Sequence, residues 1–167
     1  MTVVVRVARP DEYDEIGRLT VLAYDKAGQL GGEIGYERTL ADVAGRADEG
    51  DVLVAVDEST GRLLGSVTFV LPGSRYSELA RADEAEFRML AVDPEEQGRG
   101  VGRLLVGECL RRAAGAGCAA VVICYRDFVA AAEGLYSGLG FQRLPERDWS
   151  PMPGVNLLAL RRTLPAR

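Results

Sequence analysis

Residues 92–105 read Val92-Asp93-Pro94-Glu95-Glu96-Gln97-Gly98-Arg99-Gly100-Val101-Gly102-Arg103-Leu104-Leu105. A strand ends there, three glycines alternate with larger residues, and an amphipathic helix begins. The first N–H groups of a helix have no intrahelical partner, and its dipole favours negative charge. Glycines let a ligand approach those N–H groups closely. The segment therefore has the chemistry of a phosphate or pyrophosphate cradle, with Arg99 and Arg103 as cationic supplements. A P-loop would need Lys and then Ser or Thr after its glycine, but Arg103 and Leu104 follow Gly102. The dinucleotide pattern would need a third glycine at position 103, which is Arg. The plainer alternative is a glycine turn that only starts a helix.

The chain has 167 residues and no histidine. No Ser–His–Asp or Cys–His nucleophile pair can form within it, and no histidine can serve as metal ligand or general base. Catalysis would have to use carboxylates, tyrosines, cysteines, backbone dipoles or a bound cofactor, and no metal is expected. Cys109, Cys118 and Cys124 are an odd set without CxxC spacing, which reads as reduced thiols in a cytoplasmic protein. The formal charge of −5 argues against a nucleic-acid partner, which needs a basic surface. No stretch approaches the ~18 apolar residues of a membrane span. The start, Met1-Thr2-Val3-Val4-Val5-Arg6, lacks the basic region and long apolar run of a signal peptide. No membrane partner is expected. With 47% apolar and 27% charged residues, the composition is that of an ordinary globular chain, and the length suits a single domain over 1–167.

Any site must be held by elements that the sequence pattern outlines. Val3–Val7 is a β-branched run and predicts a first strand. Pro10, Asp11 and Glu12 open a helix, since proline suits its first turn and acids its positive end. Ile16, Leu19 and Ala23 give that helix an apolar stripe. Gly28, Gly31, Gly32 and Gly35 mark a loop. A second helix is predicted over 36–47, with Leu40, Val43, Ala44 and Ala47 on one side. Asp51–Asp57 and Leu63–Val70 predict a hairpin across Glu58-Ser59-Thr60-Gly61-Arg62. Residues 72–83 are polar and read as a loop. A fourth strand over 87–92 stops at Asp93-Pro94. Over 100–114, Val101, Leu105, Cys109 and Ala113 recur at helical spacing, widened by Leu104, Val106 and Leu110. Residues 118–125 are nearly all apolar, as a buried strand is. A helix over 129–137 ends at Gly138 and Gly140. Strands over 141–144 and 155–160 flank a loop that contains Trp149. The order β-α-α-β-β-β-α-β-α-β-β predicts an α/β layered fold with a mixed sheet.

Gln97-Gly98-Arg99-Gly100-Val101-Gly102 resembles the Q/R-x-x-G-x-G/A signature of the GNAT superfamily of N-acyltransferases. Glu86-Phe87-Arg88-Met89-Leu90-Ala91-Val92-Asp93-Pro94 looks like that family's fourth strand. Leu135-Tyr136-Ser137-Gly138-Leu139-Gly140-Phe141 looks like its second signature, a tyrosine followed by a Gly-Phe strand start. The resemblance implies a mixed, mostly antiparallel central sheet flanked by helices, with splayed fourth and fifth strands. It also implies an enzyme that moves an acetyl group from acetyl-CoA, its cosubstrate, to a primary amine by direct transfer in a ternary complex. The acceptor would be a small-molecule amine or a peptide amine. A sensor or partner module that binds acyl-CoA without transfer is the alternative, and homodimers are common among relatives.

By the same resemblance, the backbone of Gln97, Gly98, Arg99, Gly100, Val101 and Gly102, together with Arg103, holds the pyrophosphate. The pantetheine arm pairs like a strand with Leu90, Ala91 and Val92, and a backbone N–H near Leu90 polarises the thioester carbonyl. An attacking amine must lose a proton, and without histidine a carboxylate is the natural acceptor. The resemblance gives that role to Glu86, directly or through water; a strand-start charge or a partner for Arg88 is the alternative. Tyr136 is given the role of proton donor to the departing thiolate, since a phenol is protonated at neutral pH. Packing at a helix end is its alternative. Val129 stands where relatives often carry an asparagine that contacts the cofactor arm. Cys124, near the end of the fifth strand, could accept an acyl group, although a buried cysteine is more often a small hydrophobe. Trp149 either lines the substrate mouth or anchors the last hairpin. Tyr24 and Asp25 lie where the acceptor wall often forms in that family, with plain helix-end surface residues as the alternative. Asp83, Glu84 and Glu86 hint at a cationic amine.

Overall fold

Two apolar runs form the middle of the sheet. Asp51–Asp57 (β2) and Leu63–Val70 (β3) pair antiparallel, with Leu53 opposite Val67. Leu53 and Ala55 pack into one core, and Val52, Val54 and Val56 into another. A strand covered on both faces needs no polar side, which is why the run is continuously apolar.

The structure is a computed structural model and describes residues 1–30 and 35–165. The remaining elements are β1 (Val3–Val7), α1 (Tyr13–Lys26), α2 (Tyr36–Ala41), α3 (Val43–Ala47), β4 (Glu84–Val92), α4 (Val101–Gly115), β5 (Ala120–Arg126), α5 (Ala130–Gly138), β6 (Gln142–Arg143), β7 (Trp149–Met152) and β8 (Val155–Thr163). The sheet order is β1-β2-β3-β4-β5-β8-β6, with β7 also paired to β8. Among the described residues only β4 and β5 run parallel; the other pairs are antiparallel. Ile16 of α1 and Val43 of α3 pack against one face. Val101, Leu105, Val106 and Cys109 of α4 and Tyr136 of α5 pack against the other. The mixed, mostly antiparallel sheet between helices is the expected class. No helix among the described residues is long and apolar enough to cross a membrane.

Several boundaries differ from the sequence expectation. The second helix is two: Asp42 ends α2, and its carboxylate accepts a hydrogen bond from the Gly45 N–H at 3.1 Å, capping α3. An aspartate stabilises a helix start better than a helix interior. Residues 149–152, expected within the loop that contains Trp149, form β7, an edge strand paired with β8, where the missing N–H of Pro151 is tolerated. Of the loop glycines, Gly31 and Gly32 lie outside the described residues.

The feature that makes a site is the β4–β5 pair. It holds for three residue pairs: Glu84 with Ala120, Ala85 with Val121 and Glu86 with Val122. Past Glu86 the strands part. β4 follows β3 through a register shift beside Met89, whose φ is +58, and β5 follows β8 out to Arg126. A bulge bends a strand and re-aims its backbone. The fourth and fifth strands are thus splayed.

Candidate active site

A cleft of about 760 Å³ occupies the gap between β4 and β5 and reaches the start of α4. Leu90, Ala91, Val92, Gln97, Gly98, Gly100, Val101, Gly102 and Arg103 all line it, so the fold brings nine of the ten expected binding residues together. Arg99 is not among them; its guanidinium is exposed and lies 3.4 Å from Glu96. Val129 lines the cleft as well, as do Leu135 and Tyr136 of α5.

The three glycines do different things. Gly98 and Gly100 have φ of +80 and +82, and Gly100 caps α4. A side chain there would be strained by the backbone alone, although a Cβ would meet nothing within 4 Å. Their open side is where a ligand can approach. At Gly102 a Cβ would lie 3.3 Å from Leu135 Cδ2 and 3.7 Å from Val92 Cγ2, so that glycine keeps α4 close to α5 and β4. The Leu104 N–H donates to the Gly100 carbonyl at 3.1 Å. The N–H groups just before it, of Val101, Gly102 and Arg103, have no acceptor within the helix. They form a positive helix end, which fits a diphosphate.

Glu86 is fully buried and lines neither this cleft nor its neighbour. Its carboxylate accepts hydrogen bonds from Ser77 Oγ at 3.0 Å and from the backbone N–H groups of Glu78, Leu79 and Ala80 at 2.9–3.2 Å. One carboxylate therefore fixes residues 77–80. Arg88 pairs with Glu78, Nε to Oε1 at 2.9 Å, and also donates to the Tyr76 carbonyl. This brings Glu78 Oε1 to 3.9 Å from Cys124 Sγ, in the gap. Sequence reasoning missed Glu78. It sits in a polar stretch with no periodicity, and its position depends on a buried acceptor eight residues on.

Tyr136 packs at the end of its helix and also faces the cleft. Its ring packs on Phe87, Tyr125 and Phe141 with centroids 5.7–6.1 Å apart, and it lines the cleft. Burial raises its hydroxyl above the usual phenol range, so it stays protonated. Burial, and then the charges of Glu78 and Glu86, push the Cys124 thiol up to about 12. A neutral thiol is a poor nucleophile. Trp149 pairs with Leu157 across β7 and β8 and lines neither cleft, in keeping with the hairpin alternative.

A second cleft of about 260 Å³ adjoins the first. Tyr24, Gln29, Arg88, Met89, Cys124 and Tyr125 line both. Asp25 lines neither, and nor do Asp83, Glu84 or Glu86. The hint of a cationic amine drawn from those three acids therefore has no basis in the geometry. Glu84 instead binds Arg147 and Arg161 at 2.6–3.0 Å.

The splayed parallel pair with a helix mouth beside it is the arrangement that the resemblance to acyl-CoA-dependent N-acyltransferases implies. Residues 19–141 match the acetyltransferase (GNAT) family, and the chain belongs to that family. An uncharacterized protein of Mycobacterium leprae is 39% identical over 80 residues, 47% of this chain but only 21% of that protein's length. Among solved structures, the PaiA N-acetyltransferase from Thermoplasma acidophilum in complex with coenzyme A has a TM-score of 0.73 at 14% identity, covering 98% of this chain and 100% of that one. YncA from Salmonella typhimurium, solved with its cofactor acetyl-CoA, has a TM-score of 0.70 at 20% identity, covering 100% of this chain and 96% of that one. These two likenesses are of fold.

Proposed function

We propose that this chain transfers an acetyl group from acetyl-CoA to a primary amine held in the smaller cleft. The observation that carries this is the β4–β5 pairing, which stops after Glu86 and opens into a cleft ending at the glycine mouth of α4. Acetyl-CoA supplies the activated acyl group. The N–H groups at the start of α4, with Arg103, receive the diphosphate. The stretch of β4 past Glu86 has no β5 partner, so Leu90, Ala91 and Val92 bind the extended arm, and the Leu90 N–H polarises the thioester carbonyl. The Tyr136 hydroxyl donates a proton to the sulfur. Glu78, the carboxylate that lines the acceptor cleft among the described residues, accepts the proton of the amine, and Glu86 serves the reaction by positioning residues 77–80.

Thiol release from acetyl-CoA, measured against a panel of primary amines, tests this. Release that depends on an added amine is expected. Bound acetyl-CoA with no amine-dependent release from any acceptor would count against transfer.

A further inference from the structure

Among the described residues, the charged groups of the smaller cleft are Glu78, Arg88 and Arg126. Glu78 and Arg88 pair at 2.9 Å and largely cancel. Arg126 is the charge left over. It makes no ion pair among the described residues, and its buried Nε has no hydrogen-bond partner among them. Its contacts are a hydrogen bond from Nη1 to the Gln29 carbonyl at 3.3 Å and the ring of Phe128, 4.9 Å from the centroid. A buried N–H without a partner is costly, and a guanidinium beside a cleft is shaped to meet a carboxylate.

The cleft that Arg126 lines limits the size of its ligand. Cys124 and Arg126 both line the cleft from β5, and residues two apart on a strand stand roughly 7 Å apart on one face. Cys124 marks the junction with the larger cleft, and Glu78 Oε1 lies 3.9 Å from its sulfur. The cleft, at about 260 Å³, is smaller than sites for drug-sized ligands. Pro151, Val155 and Leu157 give it an apolar wall.

Resting on the acetyl-transfer reading above, we propose that the acceptor is a small amino acid with an uncharged side chain. Its carboxylate sits on Arg126 and its amino group at the junction beside Glu78. In the transfer, the amine nitrogen bonds to the acetyl carbon as the carbon–sulfur bond breaks. The amine gives up one proton, the sulfur takes up one, and the carboxylate is unchanged. A polyamine would bring only positive charge to a cleft where, among the described residues, arginines outnumber acids.

The test is thiol release at saturating acetyl-CoA with glycine, β-alanine, leucine and methionine, each against its own amide, and with spermidine. At least one amino acid is expected to exceed its amide in kcat/KM by roughly ten- to a hundredfold, the range of one charge-assisted hydrogen bond. Arg126→Gln is expected to raise KM for that amino acid and bring acid and amide to parity, and Arg126→Lys to keep part of the preference. Faster turnover of every amide or of spermidine, or a preference unchanged in Arg126→Gln, overturns the amino-acid assignment while acetyl transfer stands. If no acceptor is turned over, calorimetric titration of the four amino acids into the protein–CoA complex decides, and absence of heat overturns the assignment. Failure of acetyl-CoA to bind removes the transfer reading and this assignment together.

Discussion

The Glu86 carboxylate meets one hydroxyl and three consecutive backbone N–H groups. Replacing it with Gln leaves one acceptor oxygen and turns an NH2 toward those donors. Glu86→Gln should lower the unfolding free energy by about 2–4 kcal/mol, the range for breaking a buried charged group's hydrogen bonds. Urea unfolding reads this directly, and kcat should fall in parallel as Glu78 loses its place. A drop in kcat at unchanged stability would instead make Glu86 the proton acceptor itself. Tyr136→Phe is the complementary case. The ring keeps its contacts with Phe87, Tyr125 and Phe141, so stability and acetyl-CoA affinity should hold. The hydroxyl is lost, and kcat should fall by roughly 10²-fold, the scale of a general acid. Single-turnover kinetics with measured acetyl-CoA binding separates the two effects.

At the scale of elements, Glu84 shows how the sheet is tied behind the cleft. It begins β4, is almost fully buried, and binds Arg147 from the turn before β7 and Arg161 from β8. Burial alone would raise its carboxyl, but the bonds from Arg147 and Arg161 outweigh that and hold it at about 2. A folded-state value below the unfolded value of 4.5 adds stability that is present above pH 4.5. That stability is lost as pH falls from about 4.5 to about 2, and a shift of this size corresponds to about 3 kcal/mol. In urea midpoints measured across that window, the gap between wild type and Glu84→Gln should close as pH falls. None of this was legible in the sequence, because Arg147 and Arg161 stand 63 and 77 residues from Glu84. What was legible was local. The glycine mouth, the period of α4 and the apolar runs of β2, β3 and β5 are each written in a few adjacent residues. Asp42 splitting a helix, Pro151 within an edge strand, and Glu78 in the cleft are each decided by a partner elsewhere in the fold. At Gly102, noticed as part of the glycine mouth, the structure adds a second demand, close packing against Leu135.

At the scale of the molecule, the sheet has two parts, β1 to β4 and β5 with β8, β6 and β7, joined along three residue pairs of β4 and β5. The larger cleft lies between them, lined by Phe87 to one side and Tyr125 to the other. A ligand there can bind only when both parts are in place, so its binding energy adds to folding stability. At a hundredfold excess over Kd the gain is about 2.7 kcal/mol. For a chain of this size that is a rise in Tm of roughly 5–10 °C. The helix mouth and the strand gap should each hold their own part of acetyl-CoA. Adenosine 3′,5′-bisphosphate, coenzyme A and acetyl-CoA, compared at equal concentration by thermal unfolding, should therefore give increasing shifts. NAD should give little, since the dinucleotide pattern fails at Arg103. If the bisphosphate alone matched acetyl-CoA, the parting of β4 from β5 would add no binding. The arm would then have to be sought outside the gap, and the proton donor with it, because Tyr136 reaches the ligand only through that cleft.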